Sequence, residues 1–169
     1  MRDFRSKWQN KIENKLFERK VVQRAFLIGE MSMDYVITTE LPSAEEFVQL
    51  RVDAGLSFRA IEASRKALLK SVYFVGLRSK ENGKLIGMGR LVGDGIMFIV
   101  SDIAVFPSFQ GKGFGKVIMT HIKDYIEANL DKTACVTLLA DVPADGLYKQ
   151  FGFRESAPAS IGMIYQVGN

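Results

Sequence analysis

The residues Gln110-Gly111-Lys112-Gly113-Phe114-Gly115-Lys116 stand between an apolar, β-branched run at 96–106 and an amphipathic run at 114–129. This order predicts a strand, a glycine-rich turn and a helix. The first N–H groups of a helix have no partner within the helix, and its N-terminus carries about half a positive charge. Glycines let an anion approach the backbone closely, and the two lysines add positive charge. The stretch therefore predicts a phosphate-binding site.

Spacing excludes two common phosphate-binding loops. A Walker A loop needs glycine where Gln110 stands and Ser or Thr where Val117 stands. The dinucleotide fingerprint G-x-G-x-x-G needs glycine in place of Lys116. The pattern that fits is Gln-x-x-Gly-x-Gly. An ordinary strand-to-helix turn remains an alternative on this motif alone.

Composition narrows the class of protein. The 169 residues suit one domain with a full hydrophobic core. With one cysteine and one histidine, the chain has no intrachain disulfide or Cys/His zinc site, and we expect no metal. The net charge of +4 is too small and dispersed to indicate a nucleic-acid partner. No apolar run has the length of a membrane span and no secretory signal is evident, so we expect a cytoplasmic protein.

Residues 1–32 differ from the rest of the chain. Trp8, Ile12 and Leu16 recur at helical spacing among lysines and arginines, which predicts a basic amphipathic helix. This helix could pack on its own domain or a partner subunit, lie on an anionic membrane surface, or simply lie outside the core domain. We favour packing against protein, and expect residues 33–169 to form a single domain.

The rest of the chain reads as alternating strands and helices. Strands are predicted at 35–39, 72–77, 85–92, 96–106, 136–139 and 163–167, and helices after Ser43, after Ser57, at 114–129 and at 144–150. Ser43 with Glu46 forms a capping-box pattern, and Gly55 is a helix stop. The apolar strand 96–106 is expected to be buried on both faces. It should run parallel to 136–139, because a helix connects them.

A downstream segment makes the pattern specific. Leu147-Tyr148 is followed by Gly152-Phe153, one helix and one strand after the glycine turn. Together with Gln-x-x-Gly-x-Gly, this resembles the GNAT superfamily of acyl-CoA-dependent N-acetyltransferases over residues 33–167. The resemblance implies an α+β fold of three layers (α/β/α). Its mixed sheet would have six or seven strands, with a splayed parallel pair at the centre. A homodimer is also usual in that family.

The resemblance implies acetyl-CoA as cosubstrate, with pantetheine between the splayed strands and pyrophosphate on the glycine turn. The implied cofactor contacts are Ile103, Ala104, Val105, Gln110, Gly111, Lys112, Gly113, Phe114, Gly115, Lys116, Asp141 and Ala144. Many members carry Asn where Asp141 stands. An ionised Asp only accepts hydrogen bonds, so that contact is lost or replaced by backbone.

Two catalytic residues are implied. Tyr148 would protonate the departing thiolate, although a core aromatic is the alternative. Asp102 could accept the amine proton, hold a cationic substrate, or cap local hydrogen bonds, and we favour the last.

The acceptor side is implied to involve Leu56, Phe58 and Arg90. The first two would give an apolar wall that suits a small arylalkyl or alkyl amine, or they could be core residues. Arg90 could bind an acidic group, but an ion pair is favoured. The resemblance therefore implies N-acetylation of a small-molecule amine. Alternatives are a protein or peptide amine as acceptor, a non-catalytic acyl-CoA sensor, and a nucleotide-phosphate binding module unrelated to CoA.

Overall fold

The computed structural model describes residues 34–167. Within this range the strands are β1 (Tyr35–Thr38), β2 (Tyr73–Ser79), β3 (Leu85–Gly93), β4 (Met97–Val105) and β5 (Cys135–Thr137). The helices are α1 (Ala44–Asp53), α2 (Ile61–Leu68), α3 (Phe114–Asn129) and α4 (Asp145–Lys149), with a 3₁₀ turn at Pro107–Phe109 before α3. The predicted N-terminal helix at 1–32 lies outside the described residues.

The strands form one mixed sheet in the order β1-β2-β3-β4-β5, with β4 and β5 parallel and the other pairs antiparallel. Met88 packs in a core cluster with Phe47 and Leu50 of α1. A Cβ on the neighbouring Gly89 would instead lie 2.6 Å from Ile118 of α3. Adjacent residues of a strand point to opposite faces, so α1 and α3 cover opposite faces. The predicted α+β class and α/β/α layering follow from this.

The first helix begins and ends where the sequence predicts. The Ser43 side chain accepts a hydrogen bond from the Glu46 N–H at 3.1 Å, and the Glu46 carboxylate accepts one from the Ser43 N–H. Gly55, just past the helix, has a φ of +88°. The predicted start of the second helix at Ser57 is wrong, because α2 follows Ala60 and Ser57 lies in the connection before it.

Strand β4 is buried on one face rather than on both. Phe98 and Val100 are buried, whereas Met97 and Ile99 are about half exposed, at 50% and 53%. This alternation contradicts the expectation of a strand buried on both sides. The reason is that no element covers the second face at this end of β4 within the described residues.

The parallel pair β4–β5 is confirmed, but within residues 34–167 it lies at the edge of a five-stranded sheet rather than at its centre. The predicted last strand, 163–167, is not a strand here, and its Tyr165 is 90% exposed. The chain turns back before it, where the Ser160 N–H donates to the Ser156 carbonyl. Consequently no extended segment pairs with the free side of the short β5. The count of six or seven strands stays a prediction.

Candidate active site

The glycine turn forms an open cradle at the start of α3. Gly111 and Gly113 have φ values of +73° and +85°, which favour glycine. Gly113 is the N-cap of α3, and no side chain caps this helix. A Cβ at either glycine would meet no atom within 4 Å. The first N–H groups of α3 therefore border open space in which an anion can bind.

The flanking side chains fix this loop. The Gln110 Nε2 donates to the Val105 carbonyl at 2.9 Å, so Gln110 ties the loop to the end of β4. The Phe114 ring packs against those of Phe109 and Tyr35. At Gly115, a Cβ would lie 3.3 Å from the side chain of Leu147 in α4. Lys112 and Lys116 are exposed at the same end of α3, so the cradle has a positive rim.

One side of β4 is free of β5 beyond Ile99. The parallel pairing covers Met97 to Ile99 only. On its other side, β4 has one extra residue between the pairs Met88–Ala104 and Arg90–Ser101, which is a β-bulge. Within residues 101–105, backbone groups on the β5 side thus have no strand partner among the described residues. The Val105 carbonyl, at the end of this stretch, accepts a hydrogen bond from the Gln110 side chain instead.

Asp102 lies at this bulge and is the only non-glycine residue of the described chain with a positive φ, of 57°. Its side chain is buried. The Asp102 Oδ1 pairs with Arg51 Nη1, and the Oδ2 pairs with Arg90 Nε. Arg51 also donates to the Ser57 carbonyl from Nε at 3.3 Å and from Nη2 at 3.1 Å. Arg90 donates to the Ala67 carbonyl at 3.3 Å. We call Arg51, Asp102 and Arg90 the buried ionic cluster.

The cluster limits what Asp102 can do. Two guanidinium groups stabilise its ionised form and occupy both oxygens, so the carboxylate is a poor acceptor for an amine proton. Burial, with the charges of Arg59 and Arg90, lowers the pKa of Arg51, and burial lowers the pKa of Arg90. Both arginines remain cationic at neutral pH. The proton-accepting role of Asp102 stays a prediction that these contacts disfavour.

Tyr148 lies in α4 and is half-buried. Its ring is edge-on to that of Phe153, with the ring centroids 6.3 Å apart. Burial, and secondarily the negative charge of Asp141, raises the pKa of the Tyr148 hydroxyl. The hydroxyl is therefore protonated throughout the neutral range and can donate a proton. The Asp141 carbonyl accepts from the Ala144 N–H at 2.6 Å, which closes the turn before α4.

Comparisons of the sequence and of the structure with known proteins identify a family. A sequence model of the GNAT acetyltransferase domain matches residues 70–155. The chain belongs to the GNAT family of acetyltransferases. Its structure is similar to that of a probable acetyltransferase of unknown function from methicillin-resistant Staphylococcus aureus. The two are 41% identical, the match covers 78% of this chain and 98% of that one, and the TM-score is 0.74.

Two curated relatives are also acetyltransferases by name. The chain is 27% identical over 157 residues to an uncharacterized N-acetyltransferase, ycf52, of Porphyra purpurea, which covers 90% of this chain and 88% of that protein. It is 29% identical over 114 residues to the chloroplastic serotonin N-acetyltransferase 2 of Oryza sativa subsp. japonica, covering 66% of this chain and 56% of that protein. The described helices of this GNAT protein lack the length and apolar character needed to span a membrane.

The residues expected to contact the acceptor have different environments in this GNAT domain. Leu56 packs on the core cluster that contains Phe47 and Ala104. Phe58 is 65% exposed in the connection between α1 and α2, so it is available to a ligand. Arg90 is engaged by Asp102. Of the predicted acceptor residues, Phe58 is thus the one whose side chain is largely free.

Sequence reasoning missed Arg51. The buried side chains of α1 include Ala44, Phe47, Val48 and Arg51, a spacing that places the arginine on the apolar face of the helix. A charged residue on such a face needs a buried partner of opposite charge. Asp102, the only charged residue of β4, was a corresponding signal in this GNAT sequence.

Proposed function

We propose that this protein is an acetyl-CoA-dependent N-acetyltransferase that acts on the primary amine of a small molecule. The observation that carries the proposal is the uncapped first turn of α3, with Gly113 in a left-handed conformation and open space above it. Such a turn suits a pyrophosphate, which needs several backbone N–H donors and room to approach them. Family membership supports acyl transfer.

The residues present fit acetyl-CoA, which supplies the acetyl group as a thioester. N–H groups of Gly113, Phe114 and Gly115 would bind the pyrophosphate, with Lys112 and Lys116 as counter-charges. The backbone at 103–105 would bind the pantetheine amides in the manner of a strand, on the side that β5 does not use. Asp141 lies at the Asn position of many members, and the backbone at 141–144 would replace the lost amide contact.

In the proposed reaction the amine nitrogen forms a bond to the acetyl carbon while the carbon–sulfur bond breaks. The amine loses one proton, and the departing thiolate gains one. Tyr148 donates the proton to sulfur, and burial keeps its hydroxyl protonated until then. A backbone N–H at the β4 bulge would stabilise the developing oxyanion. Water relays the amine proton to solvent, because both Asp102 oxygens are held by arginines, and the Tyr148 phenolate regains a proton from solvent.

A small arylalkyl amine is the proposed acceptor class. The exposed Phe58 ring, in the connection between α1 and α2, offers an apolar contact for such an amine. The rice relative carries serotonin in its name, and serotonin is an amine of this class. A cytoplasmic location and a homodimer remain predictions from the sequence and the family.

Two measurements test the proposal. The first measures the melting temperature with acetyl-CoA, CoA, ATP or NAD, because a ligand that binds only the folded state raises the apparent stability. Thiol release is then followed with arylalkyl amines, alkyl amines and peptides. We expect stabilisation by acetyl-CoA and release with small amines. Release with peptides alone would indicate a protein acetyltransferase. Binding without release would indicate a sensor, and preference for ATP or NAD would overturn the CoA assignment.

A further inference from the structure

The buried ionic cluster joins parts of the molecule that acetyl transfer would use together. Arg51 is on α1, Asp102 is at the β4 bulge, and Ser57 is in the connection that carries Phe58. We propose that Arg51 is a positioning residue that couples the connection between α1 and α2 to the bulge of β4. This inference rests on the proposed function and names a residue that neither touches the acetyl group nor moves a proton.

The connection is attached to Arg51 at two consecutive residues. The Leu56 N–H donates to the Arg51 carbonyl at 2.8 Å. The Ser57 carbonyl accepts from both Nε and Nη2 of the Arg51 guanidinium. The next residue, Phe58, is exposed. The position of the proposed acceptor wall therefore depends on where the Arg51 guanidinium lies.

The other edge of the same guanidinium fixes the bulge. Arg51 Nη1 pairs with Asp102, whose backbone has the left-handed conformation that non-glycine residues rarely adopt. The ion pairs of the Asp102 side chain hold this conformation, and the next residue, Ile103, begins the proposed pantetheine contacts. A guanidinium is planar, so one residue sets the distance between the bulge and the connection. A lysine at position 51 has one ammonium group, which would reach either the Asp102 carboxylate or the Ser57 carbonyl and not both.

The consequence for catalysis is geometric. Reacting groups must be held in a near-attack arrangement, and a displacement of about 1 Å can reduce the rate about 100-fold. The connection orients the amine, and the bulge orients the thioester. Weakening the Arg51 link should therefore reduce turnover with an acceptor more than it reduces acetyl-CoA binding, because the pyrophosphate cradle is built separately on α3.

The test compares Arg51→Lys with Arg78→Lys. Arg78 is a matched control, because it also pairs with a carboxylate, that of Glu46, and donates to a loop carbonyl, that of Gly83. For Arg51→Lys we expect kcat to fall about 10-fold or more and the acceptor KM to rise, with the acetyl-CoA Kd changed less than about twofold. For Arg78→Lys we expect all three constants to stay close to wild type.

A kcat/KM within about threefold of wild type in Arg51→Lys, or an equal loss in Arg78→Lys, would overturn the inference. Since Arg51→Lys could fold poorly, amide hydrogen exchange of the wild-type chain gives a second measurement. Coupling predicts that acetyl-CoA slows exchange at 54–60 as well as at 101–105, and unchanged exchange at 54–60 would also overturn it. Loss of acetyl-CoA binding or of thiol release in the wild type itself would instead contradict the proposed function.

Discussion

Arg51 of α1 and Asp102 of β4 form an ion pair in which 7% and 5% of the two side chains are exposed. Arg90 pairs with the second oxygen of the same carboxylate. One buried carboxylate thus pairs with two guanidinium groups, and the only left-handed non-glycine residue in the described range carries it. Buried charges are tolerated only when paired, so the carboxylate is central to the stability of this region.

Asp102→Asn should lower the free energy of unfolding by about 3–5 kcal/mol, because both arginines lose their counter-charge in a buried site. Asn tolerates the left-handed conformation, so the loss of stability is due to the missing charge and not to backbone strain. Urea denaturation measures this change in the free energy of unfolding. Glu62→Gln, which breaks an exposed pair with Arg65, should cost less than about 1 kcal/mol. Equal losses in the two variants would contradict the assignment.

Gly113→Ala should weaken acetyl-CoA binding, since the added methyl group projects from a left-handed residue into the proposed pyrophosphate cradle. Gly83→Ala is the matched control, with a φ of +70° in the β2–β3 hairpin and equally open surroundings. Both variants should lose about 1–2 kcal/mol of stability from backbone strain. Calorimetric titration should show weaker binding in Gly113→Ala alone. If Gly113→Ala binds as tightly as Gly83→Ala does, the cradle is not the pyrophosphate site.

Tyr148→Phe should reduce kcat by about 10²–10⁴-fold if the hydroxyl protonates the leaving thiolate. The acetyl-CoA Kd should stay near the wild-type value, because the ring and its contact with Phe153 are retained. Tyr165→Phe removes a hydroxyl from an exposed ring and should leave kcat unchanged. Steady-state thiol release measures both. Full turnover in Tyr148→Phe would rule out the proton-donor role.

Features set by neighbouring residues could be predicted from the sequence. The capping box of Ser43 and Glu46 and the left-handed glycines before α3 depend on residues a few positions apart. Local backbone chemistry determines such features, so a short stretch of sequence contains the necessary information.

Features that depend on distant segments could not be predicted. Arg51 and Asp102 come from a helix and a strand that only the fold brings together. Each is a charged residue in an apolar pattern, but nothing in the sequence pairs one with the other. The placement of 163–167 is a similar case, because an apolar run becomes a strand only where the rest of the fold lays it against a strand edge, and here β5 keeps a free side among the described residues. For the same reason, the bulge in β4 follows from its register with β3 rather than from its own residues.

His121, the only histidine of the chain, should make stability depend on pH below neutrality. It is 5% exposed on α3, and burial lowers its pKa from 6.5 to about 4. Between these two values the unfolded chain binds a proton that the folded chain does not, so stability falls as the pH falls. The loss between pH 7 and pH 4.5 should be about 2–3 kcal/mol.

The measurement is urea denaturation of the wild type and of His121→Gln at pH 4.5 and 7. Gln does not titrate, so any fixed cost of burying its amide cancels in the difference between the two pH values, as do the carboxylates that titrate in both proteins. The wild type should therefore lose about 2–3 kcal/mol more than the variant on acidification. Equal losses in both proteins would mean that His121 takes up its proton in the folded state as readily as in the unfolded chain, and that its burial on α3 does not exclude the charged form.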